Sequence, residues 1–100
     1  MKQKQRQDPE WQAFWDIMNL PIWQSKRDTI LQYVDENREE IDWSALEQVM
    51  GPWSHGEQVL IRIARTLFNG TDDIPIHELR VLDDRLGPAV LTIIQKRYWG

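Results

Sequence analysis

Two histidines, His55 and His77, are the side chains of this sequence best suited to proton transfer near neutral pH. They lie far apart in the chain, and neither is accompanied by a second histidine or a carboxylate motif at metal-site spacing. Ser54 has the hydroxyl of a nucleophile, but neighbouring residues at a helix start point in different directions. Because Ser54 also precedes Glu57 by three positions, it is better explained as a helix cap. The pattern predicts neither a nucleophile nor a metal site.

Paired carboxylates could support acid–base chemistry or bind a cation, and the sequence has two such pairs, Asp72-Asp73 and Asp83-Asp84. Adjacent aspartates are common in turns and helix caps, and no glycine-containing calcium loop surrounds these. The five glycines are scattered, so they form no phosphate-binding loop, and the chain has no cysteine. We therefore expect no cofactor and no enzymatic activity.

Four basic residues in the C-terminal half support a nucleic-acid-binding alternative. Arg62 and Arg65 would share the outer face of one predicted helix, and Lys96 and Arg97 would end the last helix. The basic segment 1–7 could follow a phosphate backbone. The acidic middle of the chain, however, opposes approach to a polyanion. Nucleic-acid binding is thus the weaker of two binding hypotheses.

The acidic excess is concentrated in residues 8–53, which contain ten acidic and three basic side chains. Its densest part comprises Asp35, Glu36, Glu39 and Glu40. Such a run usually forms a solvated face, and the alternative is a docking patch for a basic surface on a partner protein.

Six tryptophans in 100 residues are the most unusual feature of the composition. Trp11 and Trp15 fall on a helical apolar stripe and are predicted to be buried. The other four lie at predicted helix junctions or at the end of the last helix: Trp23, Trp43, Trp53 and Trp99. Since tryptophan is enriched at interface hot spots, the leading candidate for a partner-binding site is an exposed cluster from this group, bordered by the acidic run.

Helices must position these residues, because apolar residues recur at helical spacing and no alternating strand pattern exceeds four residues. Asp8-Pro9 marks the start of the first helix, whose apolar stripe continues to Met18. The predicted fold class is all-α, a compact bundle of five to six short helices in a single domain over residues 8–100.

The second and third helices have weaker boundary signals. Ser25 followed by Asp28 is a variant of the capping box that could open the second helix. Asp42 is placed to cap a short third helix. Gly51-Pro52 should end this helix, with Gly51 suited to a left-handed cap.

The fourth helix is the best marked in the sequence. Ser54 and Glu57 match a capping box at its start, and Asn69-Gly70 should close it. Pro75 would begin a further short helix.

Gly87-Pro88 interrupts the apolar pattern that predicts the last helix. We expect Asp83 to cap the segment that follows it. We also expect a turn to precede a helix that begins at Pro88. The alternative is a single helix that runs through Gly87-Pro88 with a local distortion. The residues predicted to face the core are Val90, Leu91, Ile94 and Tyr98.

The N-terminal segment 1–7 is polar and basic, and we expect it to be a disordered arm. No apolar stretch comes after it, so it does not match a signal peptide. No apolar run approaches the length of a membrane span. These observations favour a cytoplasmic protein that does not enter a membrane.

The segment 53–99 resembles the C-terminal part of small proteins of bacteriophages and mobile elements of Gram-positive bacteria. The residues that carry this resemblance are Ser54, Gly56, Glu57, Leu60, Ala64, Leu67, Asn69, Gly70, Leu79, Leu82, Asp83, Val90 and Ile94. Such proteins have no assigned chemistry, and short phage proteins often act by binding a host protein. The resemblance therefore implies an origin and favours an interaction role.

The leading hypothesis for function is a non-enzymatic protein-binding module, for example a phage or mobile-element regulator or inhibitor of a host protein. The partner is a protein, and a homodimer is compatible with exposed tryptophans. A small nucleic-acid-binding regulator that uses the basic arm and the C-terminal helix is the alternative.

Overall fold

The computed structural model describes residues 8–70 and 76–100 of the chain. Its elements, in chain order, are α1 (Pro9–Met18), a 3₁₀ helix (Pro21–Trp23), α2 (Arg27–Leu31), β1 (Val34–Asp35), β2 (Glu40–Ile41), α3 (Trp43–Val49), α4 (His55–Asn69), a second 3₁₀ helix (Ile76–Val81) and α5 (Leu86–Trp99). The predicted small, mostly helical fold is confirmed. The predicted arm at 1–7, the Asp72-Asp73 turn and the helix start at Pro75 lie outside the described residues.

The first helix, α1, begins where the sequence predicts because neighbouring groups satisfy its first turn. The Asp8 carboxylate accepts the backbone N–H of Glu10 at 3.1 Å. Pro9 occupies the first helical position, where its missing N–H breaks no bond. The predicted apolar stripe is buried, namely Trp11, Phe14, Trp15 and Met18.

The longest described helix, α4, has both predicted boundary motifs. The Ser54 hydroxyl accepts the N–H of Glu57 at 3.2 Å, and the Ser54 N–H donates to Glu57 Oε1 at 3.0 Å. At the other end, Gly70 has φ of 72°, the left-handed conformation that favours glycine. One side of the helix is buried through Val59, Leu60, Ile61, Ile63, Ala64 and Leu67.

Helix α1 packs against both α4 and α5, and its aromatic residues join the core. The fully buried Phe14 ring lies edge-on to the rings of Trp11, Trp15, Trp43 and Phe68, with centroid separations of 5.2–6.3 Å. Edge-to-face pairs of this kind add about 0.5–1.5 kcal/mol each beyond the burial of their surface. Large aromatic side chains therefore build much of the core of a chain without disulfides.

The acidic run forms a small antiparallel hairpin, which the all-α prediction did not include. In it, Val34 pairs with Ile41 and Asp35 with Glu40. The turn is closed locally, because the Asp35 carboxylate accepts the N–H of Arg38 at 3.1 Å and Glu39 has φ of 57°. The sequence signal was missed because each strand has only two residues, too few for an alternating pattern.

The predicted cap of α2 is wrong. This helix begins at Arg27, its preceding residue Lys26 makes no side-chain cap, and Ser25 is exposed. Two basic side chains instead tie this region to distant elements. The Arg27 guanidinium donates to the carbonyl of Met18 at 2.8 Å, and Lys26 forms an ion pair with Glu57 at 3.0 Å.

The end of α3 also differs from the prediction. Asp42 caps the start as expected, accepting the N–H of Ala45 at 3.1 Å, but Gly51 does not adopt the left-handed conformation. Just after the helix, the Gln58 amide of α4 donates to the carbonyls of Met50 at 3.2 Å and Gly51 at 3.0 Å. A side chain of α4 therefore holds the segment that follows α3.

Helix α5 comes after a turn, as predicted, but begins at Leu86, two residues before Pro88. The Asp83 carboxylate accepts the N–H groups of Arg85 at 2.9 Å and Leu86 at 2.8 Å. Gly87 and Pro88 therefore fall in the first turn, where a missing N–H breaks no helical bond.

Candidate protein-interaction surface

The rotation of α5 about its axis is set by contacts on its inner side. Val90 and Ile93 are buried in the core cluster. Further along the helix, Arg97 Nε donates to the carbonyl of Leu67 at 2.9 Å, and its guanidinium lies 3.7 Å from the Glu10 carboxylate. These contacts join α5 to α4 and α1, so the opposite side of the helix faces solvent.

The solvent-facing side of α5 is apolar or uncharged along its length. We define the α5 outer face by six exposed residues, Pro88, Leu91, Thr92, Gln95, Tyr98 and Trp99. Leu91 is 57% exposed, Tyr98 47% and Trp99 79%, the large hydrophobic residues of the described chain with the greatest exposure. A surface helix normally carries charged residues on its solvent-facing side. The apolar residues on this side of α5 are instead typical of a helix face that is covered by a partner.

The predicted orientation of α5 was therefore partly wrong. Val90 is buried and Ile94 half-buried as expected, but Leu91 and Tyr98, which the spacing predicts to face the core, belong to the outer face. Apolar residues occur around the whole circumference of α5, so spacing alone selects no single inner side. The available signal was the absence of charge from residue 86 to residue 95.

The aromatic residues of the outer face are held in place by neighbouring groups. The Tyr98 and Trp99 rings meet nearly edge-on, with centroids 6.1 Å apart and planes at 72°. The Arg97 guanidinium lies 4.9 Å from the centroid of the Tyr98 ring, within range of a cation–π contact. An ordered aromatic pair loses little conformational entropy when a partner covers it, which favours binding.

One edge of the outer face is bordered by a charged residue that has an ion-pair partner. Lys96, at one edge, lies 3.5 Å from the Asp16 carboxylate of α1. This pair lies in a groove of about 220 Å³ between α1 and α5, whose floor includes Ala13 and Ile93. Charge depletion at the centre with polar residues at the rim is typical of protein–protein interfaces.

The four junction tryptophans do not form the exposed cluster that the sequence suggested. Trp23 and Trp43 are buried, at 1% and 7% exposure, and Trp53 is half-buried, with its ring centroid 6.1 Å from that of Trp23. Only Trp99 of the four is exposed. Trp43 is held in the core because it lies against Phe14, so the junction positions fill gaps between elements.

A partly buried ion pair lies beside Trp53. Glu57, 8% exposed, binds Lys26 at 3.0 Å, and the Lys26 ammonium lies 5.6 Å from the centroid of the Trp53 ring. Burial acts to raise the pKa of Glu57, but the hydrogen bonds from Lys26 and Ser54 outweigh it and hold the pKa below its usual 4.5. This arrangement ties α4 to the segment before α2 and has a structural role.

The acidic run remains largely exposed on the hairpin. Asp35, Glu39 and Glu40 are exposed and Glu36 is half-buried. Asp35 and Arg38 form a loose ion pair of 3.9 Å within the turn. The hairpin presents a negatively charged surface, as a solvated face would, and the tryptophans expected beside it are buried except for Trp99.

Four basic residues of the nucleic-acid alternative lie in the described part of the chain, and each has an intramolecular carboxylate partner, whereas the basic segment 1–7 lies outside it. Arg62 donates to Glu78 at 2.9 Å and Arg65 to Glu47. The corresponding ion pairs of Lys96 with Asp16 and of Arg97 with Glu10 border α5. At each of these four positions a phosphate would compete with a carboxylate for the basic side chain, and this disfavours the alternative.

Both histidines are exposed, and His55 lies in the first turn of α4 as expected. Within residues 8–70 and 76–100, no three or more histidine or acidic side chains are grouped so that they could hold a metal ion. None of the helices found there combines the length and the apolar character needed to cross a bilayer.

Comparison of the chain with protein-family models, with curated proteins and with solved structures yields no match.

Proposed function

We propose that this chain is a non-enzymatic protein-binding module and that the α5 outer face is its binding surface. The observation that carries the proposal is the exposure of Leu91, Tyr98 and Trp99 on a face without charged side chains. Interface centres are depleted in charge and enriched in aromatic residues, and a few such anchors supply most of the binding free energy.

The proposal keeps one of the four tryptophans of the sequence hypothesis and adds two residues to it. Trp99 is the retained anchor, and Leu91 and Tyr98 join it because they lie on the same side of α5. The hairpin acids would add a contact only for a basic partner surface. In line with the phage resemblance, the proposed setting is the cytoplasm, with the chain acting as a regulator or inhibitor of a host protein.

The test is affinity capture from cells of the source, followed by binding measurements with the purified partner. Leu91→Glu introduces a charge on the proposed surface, and Trp99→Ala removes its most exposed side chain. We expect each to weaken binding by at least about tenfold, the loss of a little over 1 kcal/mol of binding free energy. Both variants should unfold at the same urea concentration as the wild type, because these side chains are exposed.

Gln48→Glu on α3 is the matched control, since it introduces the same charge at an exposed position elsewhere. It should bind the partner as the wild type does. If Leu91→Glu and Trp99→Ala also bind normally, the α5 outer face is not the binding surface and the proposal fails.

A further inference from the structure

The exposed residues of α5 are arranged symmetrically about Gln95. Leu91 and Trp99 lie four positions before and after it, and Thr92 and Tyr98 lie three positions before and after it. Residues three and four positions apart share one side of a helix, so the α5 outer face is centred on Gln95. As on any helix face of this spacing, a second copy turned end for end can bring position 91 opposite position 99 and position 92 opposite position 98.

We infer that the α5 outer face binds a second copy of this chain in an antiparallel, two-fold arrangement. The inference rests on the proposed function, and the second copy occupies the same surface that a host protein would cover. A two-fold axis beside Gln95 would place Leu91 next to Trp99 of the second copy, and Thr92 next to Tyr98 of the second copy. Each aromatic ring then meets a smaller side chain, which allows the two faces to interdigitate. The two Gln95 amides can bond to each other, because each has both donors and an acceptor.

The charge distribution suits self-association of a chain with a net charge of −4. The outer face has no charged residue, so no like charges meet at its centre. Lys96, at the edge beside Gln95, brings its own counter-charge, the Asp16 carboxylate 3.5 Å away. The Thr92 hydroxyl donates to the Pro88 carbonyl at 3.0 Å, so it needs no partner across the contact.

The available area indicates a weak dimer. With whole side-chain areas of roughly 150–250 Å² for aromatic residues, the exposed fractions of Leu91, Tyr98 and Trp99 correspond to about 400 Å² per copy. With the smaller residues of the face, two copies would bury about 1,000–1,200 Å², the lower end for specific interfaces. We therefore expect a dissociation constant on the order of 10–100 µM.

The experiment is sedimentation equilibrium of the purified full chain at concentrations up to about 1 mM, with no other protein present. The wild type and Gln48→Glu should both dimerise with the same dissociation constant. Leu91→Glu alone and Trp99→Lys alone should each weaken dimerisation by at least about tenfold. An equal mixture of Leu91→Glu and Trp99→Lys should recover dimers, because the mixed dimer contains one Glu–Lys contact and one native Leu91–Trp99 contact.

A wild type that stays monomeric at the highest concentration overturns the inference, and so does a dimer that neither substitution weakens. Failure of the mixture to recover overturns the antiparallel arrangement, since in a parallel pair residue 91 would not meet residue 99. Capture of a different protein that Leu91→Glu abolishes, together with a monomeric wild type, would reject the second copy and leave the proposed function standing.

Discussion

Helices α4 and α5 are of similar length, and they relate to the rest of the molecule in different ways. Helix α4 has one continuous buried side and is closed at both ends by Ser54 and Gly70. Helix α5 buries Val90 and Ile93 on one side and exposes Leu91, Tyr98 and Trp99 on the other. Helix α4 buries its apolar residues within the fold, whereas α5 has more apolar residues than the fold covers.

The difference shows what hydrophobic spacing specifies. A helix with a single apolar stripe has one orientation that buries it, so the pattern of α4 determines which side faces inward. The apolar residues of α5 surround the helix, so several orientations bury a similar area. Contacts with α1 and α4, including the bond from Arg97 to the carbonyl of Leu67, select one of them. The remaining apolar surface becomes available to a partner.

The largest expected effect is a difference in the free energy of unfolding between two matched leucine substitutions. Leu60 on α4 is 0% exposed and Leu91 on α5 is 57% exposed. Leu60→Ala should lower the free energy of unfolding by about 2–5 kcal/mol, because it leaves a cavity in the core. Leu91→Ala should change it by no more than about 0.5 kcal/mol, since little buried contact is lost. Urea unfolding followed by tryptophan fluorescence measures both, and equal losses would mean that Leu91 is core.

An intermediate effect should appear in the acid sensitivity of the two helix starts. The pKa of Glu57 at α4 is lowered, because hydrogen bonds from Lys26 and Ser54 outweigh burial, and that of Asp83 at α5 is lowered by the N–H groups of Leu86 and Arg85. A carboxylate whose pKa is lowered by folding stabilises the folded state at pH values above its pKa in the unfolded chain. That contribution is lost as pH falls through the folded pKa, so stability should decline from about pH 4.5 downward.

The two helix starts can be separated by amide substitutions that keep an acceptor oxygen. Glu57→Gln should lower the free energy of unfolding at pH 7 by about 1–2 kcal/mol and flatten its decline in acid, because a partly buried ion pair is lost. Asp83→Asn should flatten the decline less, because Asp83 is exposed to solvent. A larger effect of Asp83→Asn in urea unfolding from pH 7 to pH 3 would reverse this ranking.

The smallest effect concerns the C-terminal end of α4. Gly70 has φ of 72°, which costs a residue with a Cβ roughly 1–2 kcal/mol. Gly70→Ala should lower the free energy of unfolding by about 1 kcal/mol, and Gly70→Asn by less, because asparagine tolerates this conformation. Thermal unfolding of the wild type and the two variants gives the order of their stabilities. If alanine and asparagine are equally tolerated, the boundary of α4 depends on packing more than on its glycine.

Local signals predicted a good part of the fold. Asp8, Asp42, Ser54 and Asp83 all accept the backbone N–H groups that their positions suggested. These predictions succeed because a cap involves groups within three or four residues of each other. The stripe of α1 was equally informative, since its aromatic residues recur at one helical spacing.

The candidate site was predicted less well, because it depends on groups distant in sequence. Trp43 is buried since Phe14, on another helix, packs against it, and no spacing around Trp43 reveals this. The segment after α3 is held by Gln58 of α4, and Gly51 does not adopt the left-handed conformation that its position predicted. Leu91 and Tyr98 are exposed since Arg97 and Ile93 take the inner side of α5.

The sequence by itself determined the helical class, most helix starts and the burial of Trp11 and Trp15. These properties depend on hydrogen bonds and side-chain spacing over at most a few turns of helix. Only the tertiary structure decided which side of α5 faces solvent and that Trp99, alone among the four junction tryptophans, is exposed. The reason is that burial of apolar area has no direction of its own, so the contacts between helices choose which apolar residues stay outside.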